Sequence, residues 1–250
     1  MSRSRDLGRF LRRLARGRGL LRSMDALELA LGSSSVRRIQ TLNLHHLDLY
    51  ERDEAFRDAI ATAGAFTADG WPVQLALRRL GVPSARVTGR ELCDRLAKDS
   101  AFAPTTTRVA LFGATEEAGD RFDDLLASAG RKLVVREHGL VADWRIDDLA
   151  QAVRSTDANL VLVAVSPPSG EVVAARIAAL LETHSCVVVG VGGAVDMAVG
   201  IRKAAPGVVS KGGLEWLWRL GQEPRRMASR YLRDGLPAFV RLYIATTRPS

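Results

Sequence analysis

Leu160-Val161-Leu162-Val163-Ala164-Val165 is the stretch on which the fold turns. An unbroken apolar run rich in β-branched residues has no polar face to offer water, so the strand it forms must be covered on both sides. The strand it belongs to reads from Asn159 to Val165, with Ser166-Pro167-Pro168 as the turn after it. A parallel sheet with helices on each face is the architecture that buries such a strand.

The same alternation extends in both directions. Residues 36–42, 108–112, 132–135 and 186–191 read as further strands, and residues 48–63, 71–80, 115–129, 144–153 and 170–181 carry helical spacing. Thr88 is placed to cap a helix running to Ala97, with Glu91 three residues on as its capping-box partner. This predicts an α/β, Rossmann-like body with a mostly parallel sheet and helices on both faces. Residues 1–35 read as an Arg-rich N-terminal extension, 36–211 as the body, and 212–250 as a basic, helical C-terminal appendage. Residues 103–107, with Pro104 and three threonines, are the expected internal linker.

The chain has 250 residues, 47% hydrophobic and 26% charged, which is globular composition and leaves no case for disorder throughout. Cys93 and Cys186 cannot build a disulfide framework and fit a reducing, cytoplasmic compartment. No run of 18 apolar residues predicts a membrane span. The net charge of +8 is unevenly placed: eight arginines against Asp6 in residues 1–23, and seven against Glu223 and Asp234 in residues 219–250. These basic ends flank a middle of net charge −4. A nucleic-acid binder would carry its cations through the body, so this distribution argues against nucleic acid and for an anionic membrane surface touched by the ends.

Leu7, Phe10, Leu11 and Leu14, with Arg9, Arg12, Arg13 and Arg16 between them, have the spacing either of a short helix lying on a bilayer or of a solvated Arg-rich tail. Trp216 and Trp218 either sit in a headgroup layer with the nearby arginines or pack between helices.

In a parallel sheet, ligands bind beyond the carboxyl ends of the strands. The turns expected there are Thr41-Leu42-Asn43, Gly113-Ala114-Thr115, His138-Gly139-Leu140, Ser166-Pro167-Pro168 and Gly190-Val191-Gly192-Gly193. Glycine lets a backbone approach a diphosphate, and it equally serves close packing. His45-His46-x-Asp48 is a weak metal pattern, since adjacent residues point to different sides. Asp69-Gly70 is either a turn former or a general base. Walker, nucleophile-elbow and zincin motifs are absent. A nicotinamide site built on residues 190–193 would lack an acidic ribose partner about 20 residues on, where Pro206 to Ser210 stand.

In order along the chain, Thr41-Leu42-Asn43, Ala68-Asp69-Gly70, Arg86-Val87-Thr88-Gly89, Leu111-Phe112-Gly113, Gly190-Val191-Gly192-Gly193-Ala194-Val195-Asp196 and the run from Gly213-Leu214-Glu215-Trp216 to Gln222-Glu223-Pro224-Arg225-Arg226 resemble the WecG/TagA/CpsF family of bacterial glycosyltransferases. The resemblance covers roughly residues 36–243, and its last motif is the most specific. It implies a peripheral enzyme on the cytoplasmic face of the plasma membrane that moves a sugar from a UDP-sugar to a polyprenyl-diphosphate-linked saccharide, with inversion and without a required metal or cofactor. It further implies that Asp69 is the base, that Thr41, Asn43 and Arg86 complete the catalytic side, and that Gly113, Gly139, Gly192, Gly193 and Asp196 contact the donor. Arg219 and Arg226 would close over the diphosphate, unless Arg219 is taken up by Glu215 on the same helix. A homo-oligomer is left open.

Two departures stand out. Where the family shows Ser-Pro-Lys-Gln-Glu, this chain has Ser166-Pro167-Pro168-Ser169-Gly170-Glu171, and the family's Gly-Tyr turn is Gly139-Leu140. They suit either a retuned donor pocket or a non-catalytic relative that binds a sugar nucleotide or a partner in a polysaccharide-assembly complex.

Overall fold

The computed structural model describes residues 2–17, 19–202, 218, 221 and 235–247. Its elements are α1 (Ser2–Arg16), β1 (Leu20–Leu21), α2 (Met24–Leu31), β2 (Arg38–Leu42), α3 (Leu44–Arg52), α4 (Glu54–Ala61), β3 (Ala65–Ala68), α5 (Trp71–Arg79), α6 (Gly89–Lys98) and β4 (Arg108–Gly113). They continue with α7 (Glu116–Ser128), β5 (Lys132–Glu137), α8 (Ile146–Ser155), β6 (Leu160–Ala164), α9 (Ser169–Leu180), β7 (Val187–Gly190), α10 (Ala194–Ala198) and α11 (Leu236–Thr247).

The strands form one seven-stranded sheet in the order β1-β3-β2-β7-β6-β4-β5, and every pairing is parallel. Alternate residues of β4, β6 and β7 enter two separate cores. Val109, Leu111, Leu160, Leu162, Val187 and Val189 pack with α2, α6, α7 and α10. Ala110, Phe112, Val161, Val163 and Val188 pack with α8 and α9. The unbroken apolar run of β6 is thus buried on both faces, as its composition requires.

The N-terminal stripe is not on a surface. Leu7, Leu11 and Leu14 are buried with Leu20, Leu42, Phe56, Val73, Leu77 and Leu242, and α1 crosses α11 so closely that a side chain at Gly8 would meet the Ala245 carbonyl at 3.0 Å. The helix is there, but its apolar face is taken by protein rather than by lipid or water. Helical spacing alone does not distinguish these partners, since all need the same stripe. Leu20 and Leu21 pair with Phe66 and Thr67 at the sheet edge, and Met24, Leu27 and Leu31 join a core, so residues 20–31 are built into the body.

Two further expectations change. The helix expected over 48–63 is a pair, because Asp53 closes α3 through its backbone N–H to Leu49 and opens α4 by accepting from the Phe56 N–H. The stretch 103–107 does not link separate units. One sheet runs on both sides of it, and the buried Arg131 guanidinium binds the carbonyls of Leu96, Phe102 and Thr106 around it. Ala65–Ala68, read only as a short apolar run before a turn, is a strand too short to show a period.

Candidate active site at the carboxyl edge of the sheet

Helices leaving neighbouring strands toward opposite faces open crevices at the carboxyl edge. β4 leads to α7 and β6 to α9, which belong to different cores. β2 leads through α3 to α4, which packs on α9, whereas β7 leads to α10, which packs on α6. Neighbouring strands diverge in this way at β4/β6, β6/β7 and β2/β7; the first crevice considered lies between Gly113 and Val165, the second between Asn43 and Val191.

Most of the residues singled out in the sequence lie around the second of these positions, at the ends of the neighbouring strands β3, β2 and β7. Thr41 is buried near the end of β2, and its hydroxyl donates to the Gly190 carbonyl at 3.1 Å, tying β2 to the Gly-rich turn. Asn43 caps α3, its side chain accepting from the His46 N–H at 3.1 Å. Asp69, half-buried, follows β3 and donates its backbone N–H to Leu42 at 2.7 Å. Arg86 lies in an extended segment held beside β3, with Val87 donating to Ala68 at 3.0 Å and Ala85 to Arg22 at 2.9 Å. Thr88 caps α6 through the Glu91 N–H. Gly89 lies flat on the turn after β7, where a side chain would meet the Val191 Cα at 3.2 Å. Gly192, at φ +52, donates to Val163 at 3.3 Å, and Gly193 follows it.

Gly113 serves the first crevice. Its φ is +94, and a Cβ there would stand 2.7 Å from the Ala164 carbonyl, so only glycine closes this corner. Gly139 stands apart, exposed beyond the edge strand β5 with open space around it. Asp196, on α10, pairs with Arg202 at 3.2 Å, while its other oxygen is buried without a hydrogen-bond partner. Arg219 and Arg226, with Trp216 and Glu215, lie outside the described residues.

The metal pattern at 45–48 resolves into other contacts. His46 completes the capping box of α3, and Asp48 binds Arg241 of α11 together with Arg52. Among the described residues no three His, Cys, Asp or Glu side chains group closely enough to hold a metal ion.

The sequence reading missed a buried polar seam under the second crevice. Arg38 is sequestered beneath α4, donating to the Ala59 carbonyl, to Thr62 at 2.8 Å and to Gln40 at 2.7 Å. Burial lowers its pKa to about 10, against the pull of Glu171. Glu171 in turn faces His46 at 3.1 Å. The signal available beforehand was the Asn43-x-x-His46 spacing of a capping box; nothing in the sequence joined it to Glu171. Arg202, whose guanidinium would meet a Cβ at Gly193 at 3.3 Å, was likewise missed.

The model of the glycosyl transferase WecG/TagA/CpsF family matches residues 20–250. The chain belongs to this family. It is a glycosyltransferase, and the match begins at β1, consistent with β1 and α2 being part of the body. Among curated relatives, an N-acetylglucosaminyldiphosphoundecaprenol N-acetyl-beta-D-mannosaminyltransferase of Staphylococcus aureus (strain MRSA252) is 27% identical over 187 residues, covering 72% of this chain and 70% of the relative. The protein of the same name from strain MW2 is 26% identical over 195 residues, covering 76% and 73%. Ser169 and Gly170, where the resemblance expects a Lys-Gln pair, stand at the start of α9. A Cβ at Gly170 would lie 2.4 Å from the Val165 carbonyl, so the first turn of α9 admits no side chain there.

Proposed function

We propose that this protein is an inverting glycosyltransferase that moves a sugar from a UDP-sugar to a polyprenyl-diphosphate-linked saccharide. The observation that carries this reading is that the backbone bonds from Asp69 to Leu42 and from Val87 to Ala68 bring the segments bearing Asn43, Asp69 and Arg86 to adjoining strand ends. Asp69 takes the proton of the acceptor hydroxyl as its oxygen bonds to the anomeric carbon. The bond from that carbon to the diphosphate oxygen breaks on the opposite side, and UDP leaves with the electron pair. Negative charge grows on the leaving diphosphate, and guanidinium groups, Arg86 and the arginines at 219 and 226, are assigned to meet it, with no metal ion assigned. Gly192, Gly193 and Gly113 let backbone N–H groups approach the donor.

The names of the relatives favour an N-acetylhexosamine donor and an N-acetylglucosaminyl-diphospholipid acceptor as the first pair to try. Peripheral attachment to the inner face of the membrane is part of the same reading. No described helix is long and apolar enough to cross a membrane, but α11 exposes Leu236, Val240, Tyr243 and Ile244 on one side, with the Arg79 guanidinium over the Tyr243 ring at 4.0 Å. Apolar side chains beside cations suit an anionic headgroup layer.

A second reading, a non-catalytic binder of a sugar nucleotide, is favoured by Gly170, where the first turn of α9 leaves no room for a side chain. Incubating purified protein with UDP-sugars and short-chain diphospholipid acceptors, with and without chelator, separates the two by product mass. A new glycolipid establishes transfer; UDP binding without any product establishes the binder.

A further inference from the structure

We propose that His46 and Glu171 form a positioning pair that holds Asn43 at the mouth of the second crevice. The two side chains, on α3 and α9, are each about 4% exposed and do not reach the open crevice. His46 Nδ1 accepts the backbone N–H of Asn43 at 3.2 Å, and the Asn43 side chain accepts the His46 N–H at 3.1 Å. This reciprocal pair fixes both the backbone and the side chain of Asn43. It requires a neutral imidazole whose single proton is on Nε2, since only then does Nδ1 offer a lone pair.

Glu171 supplies the reason for that tautomer. Its Oε1 stands 3.1 Å from Nε2, off the straight N–H line, and a carboxylate there draws the proton to Nε2. Its other oxygen is buried without a hydrogen-bond partner. The imidazole stacks on Phe56 with ring centroids 5.8 Å apart, which fixes its plane. Neither group touches substrate in the proposed reaction. They act through Asn43, and the role as a positioning pair rests on the place given to Asn43 in the proposed site.

The test compares two double variants that both remove the buried carboxylate charge. Glu171→Gln with His46→Asn keeps an acceptor atom where Nδ1 stood, because an amide oxygen is also one bond from Cγ; Glu171→Gln with His46→Leu does not. The first is expected to keep kcat within about threefold of the parent, and the second to lose about tenfold to hundredfold, with UDP affinity equal in both. Equal loss or equal retention of kcat would overturn the pair. Nitrogen-15 imidazole shifts of the unaltered protein give a readout that needs neither variant folding nor any transfer. Protonated Nε2 and bare Nδ1 at neutral pH are expected, and a protonated Nδ1 overturns the proposal even if transfer is confirmed. Absence of transfer with the expected tautomer overturns the functional reading while leaving the hold on Asn43 in place.

Discussion

Val87 donates its backbone N–H to the carbonyl of Ala68 at 3.0 Å, so the segment carrying Arg86 runs beside the end of the strand that leads into Asp69. A guanidinium and a carboxylate from separate sequence motifs are thereby set at one corner of the sheet. Asp69→Asn keeps the shape of this corner but cannot take a proton. Turnover is expected to fall by about a hundredfold or more, with UDP affinity, read by calorimetry, changed less than about twofold. Undiminished turnover would remove Asp69 from the role of base.

The corner at Gly113 should tolerate no side chain. Gly113→Ala places a methyl 2.7 Å from the Ala164 carbonyl in a positive-φ conformation, and a loss of about 2 kcal/mol or more in urea unfolding is expected. Gly139→Ala shares the positive φ but meets no atom within 4 Å, so its loss should be no more than about 1 kcal/mol.

Arg131 ties the stretch between α6 and β4 into the body by donating to main-chain carbonyls that include those of Leu96, Phe102 and Thr106. Arg131→Met fills much of the volume and leaves those carbonyls without a donor. At about 1–3 kcal/mol for each buried group left unsatisfied, stability should drop by roughly 3 kcal/mol or more, measured as a shift in the denaturation midpoint with little change in slope. A drop below about 1 kcal/mol would mean that water replaces the guanidinium.

Burial pushes the Cys186 thiol up to about 12, and it pushes Cys93 up as well. Both are expected to resist thiol reagents at pH 8 in the folded protein and to react once it is denatured. The unfolded thiol titrates near 9, so the folded state holds a proton that the unfolded state has lost between about pH 9 and 12. The contribution of Cys186 to stability is therefore complete below pH 9 and declines as pH rises through that window. Cys186→Ala should flatten the alkaline decline, and an unchanged slope would refute the assignment.

Arg241 joins α11 to α3 by reaching Asp48 at 2.5 Å and Glu51 at 2.7 Å. Arg241→Ala leaves two largely buried carboxylates short of a partner, and a loss of about 3 kcal/mol is expected. If the face of α11 also docks on lipid, the variant should bind anionic vesicles more weakly; unchanged binding would separate the helix from membrane attachment.

The sequence by itself determined the α/β body. Each strand it predicted overlaps a strand of the one sheet, and the continuous apolar run of β6, buried on both faces, is a local pattern that no neighbour needs to supply. The cap at Thr88 was legible in the same way, since capping is a matter of a few neighbouring residues. The order of motifs was enough to place the family. Tertiary structure alone decided what the N-terminal stripe faces, because Leu7, Leu11 and Leu14 would look the same against lipid, water or α11. It also decided that Asn43, Asp69 and Gly192 follow neighbouring strands, with Arg86 beside them, while Gly139 follows the far edge strand, since strand order is set by crossovers that no local spacing records. The His46–Glu171 contact joins residues 125 positions apart. A partner that distant becomes visible only when α9 folds back over the end of β2.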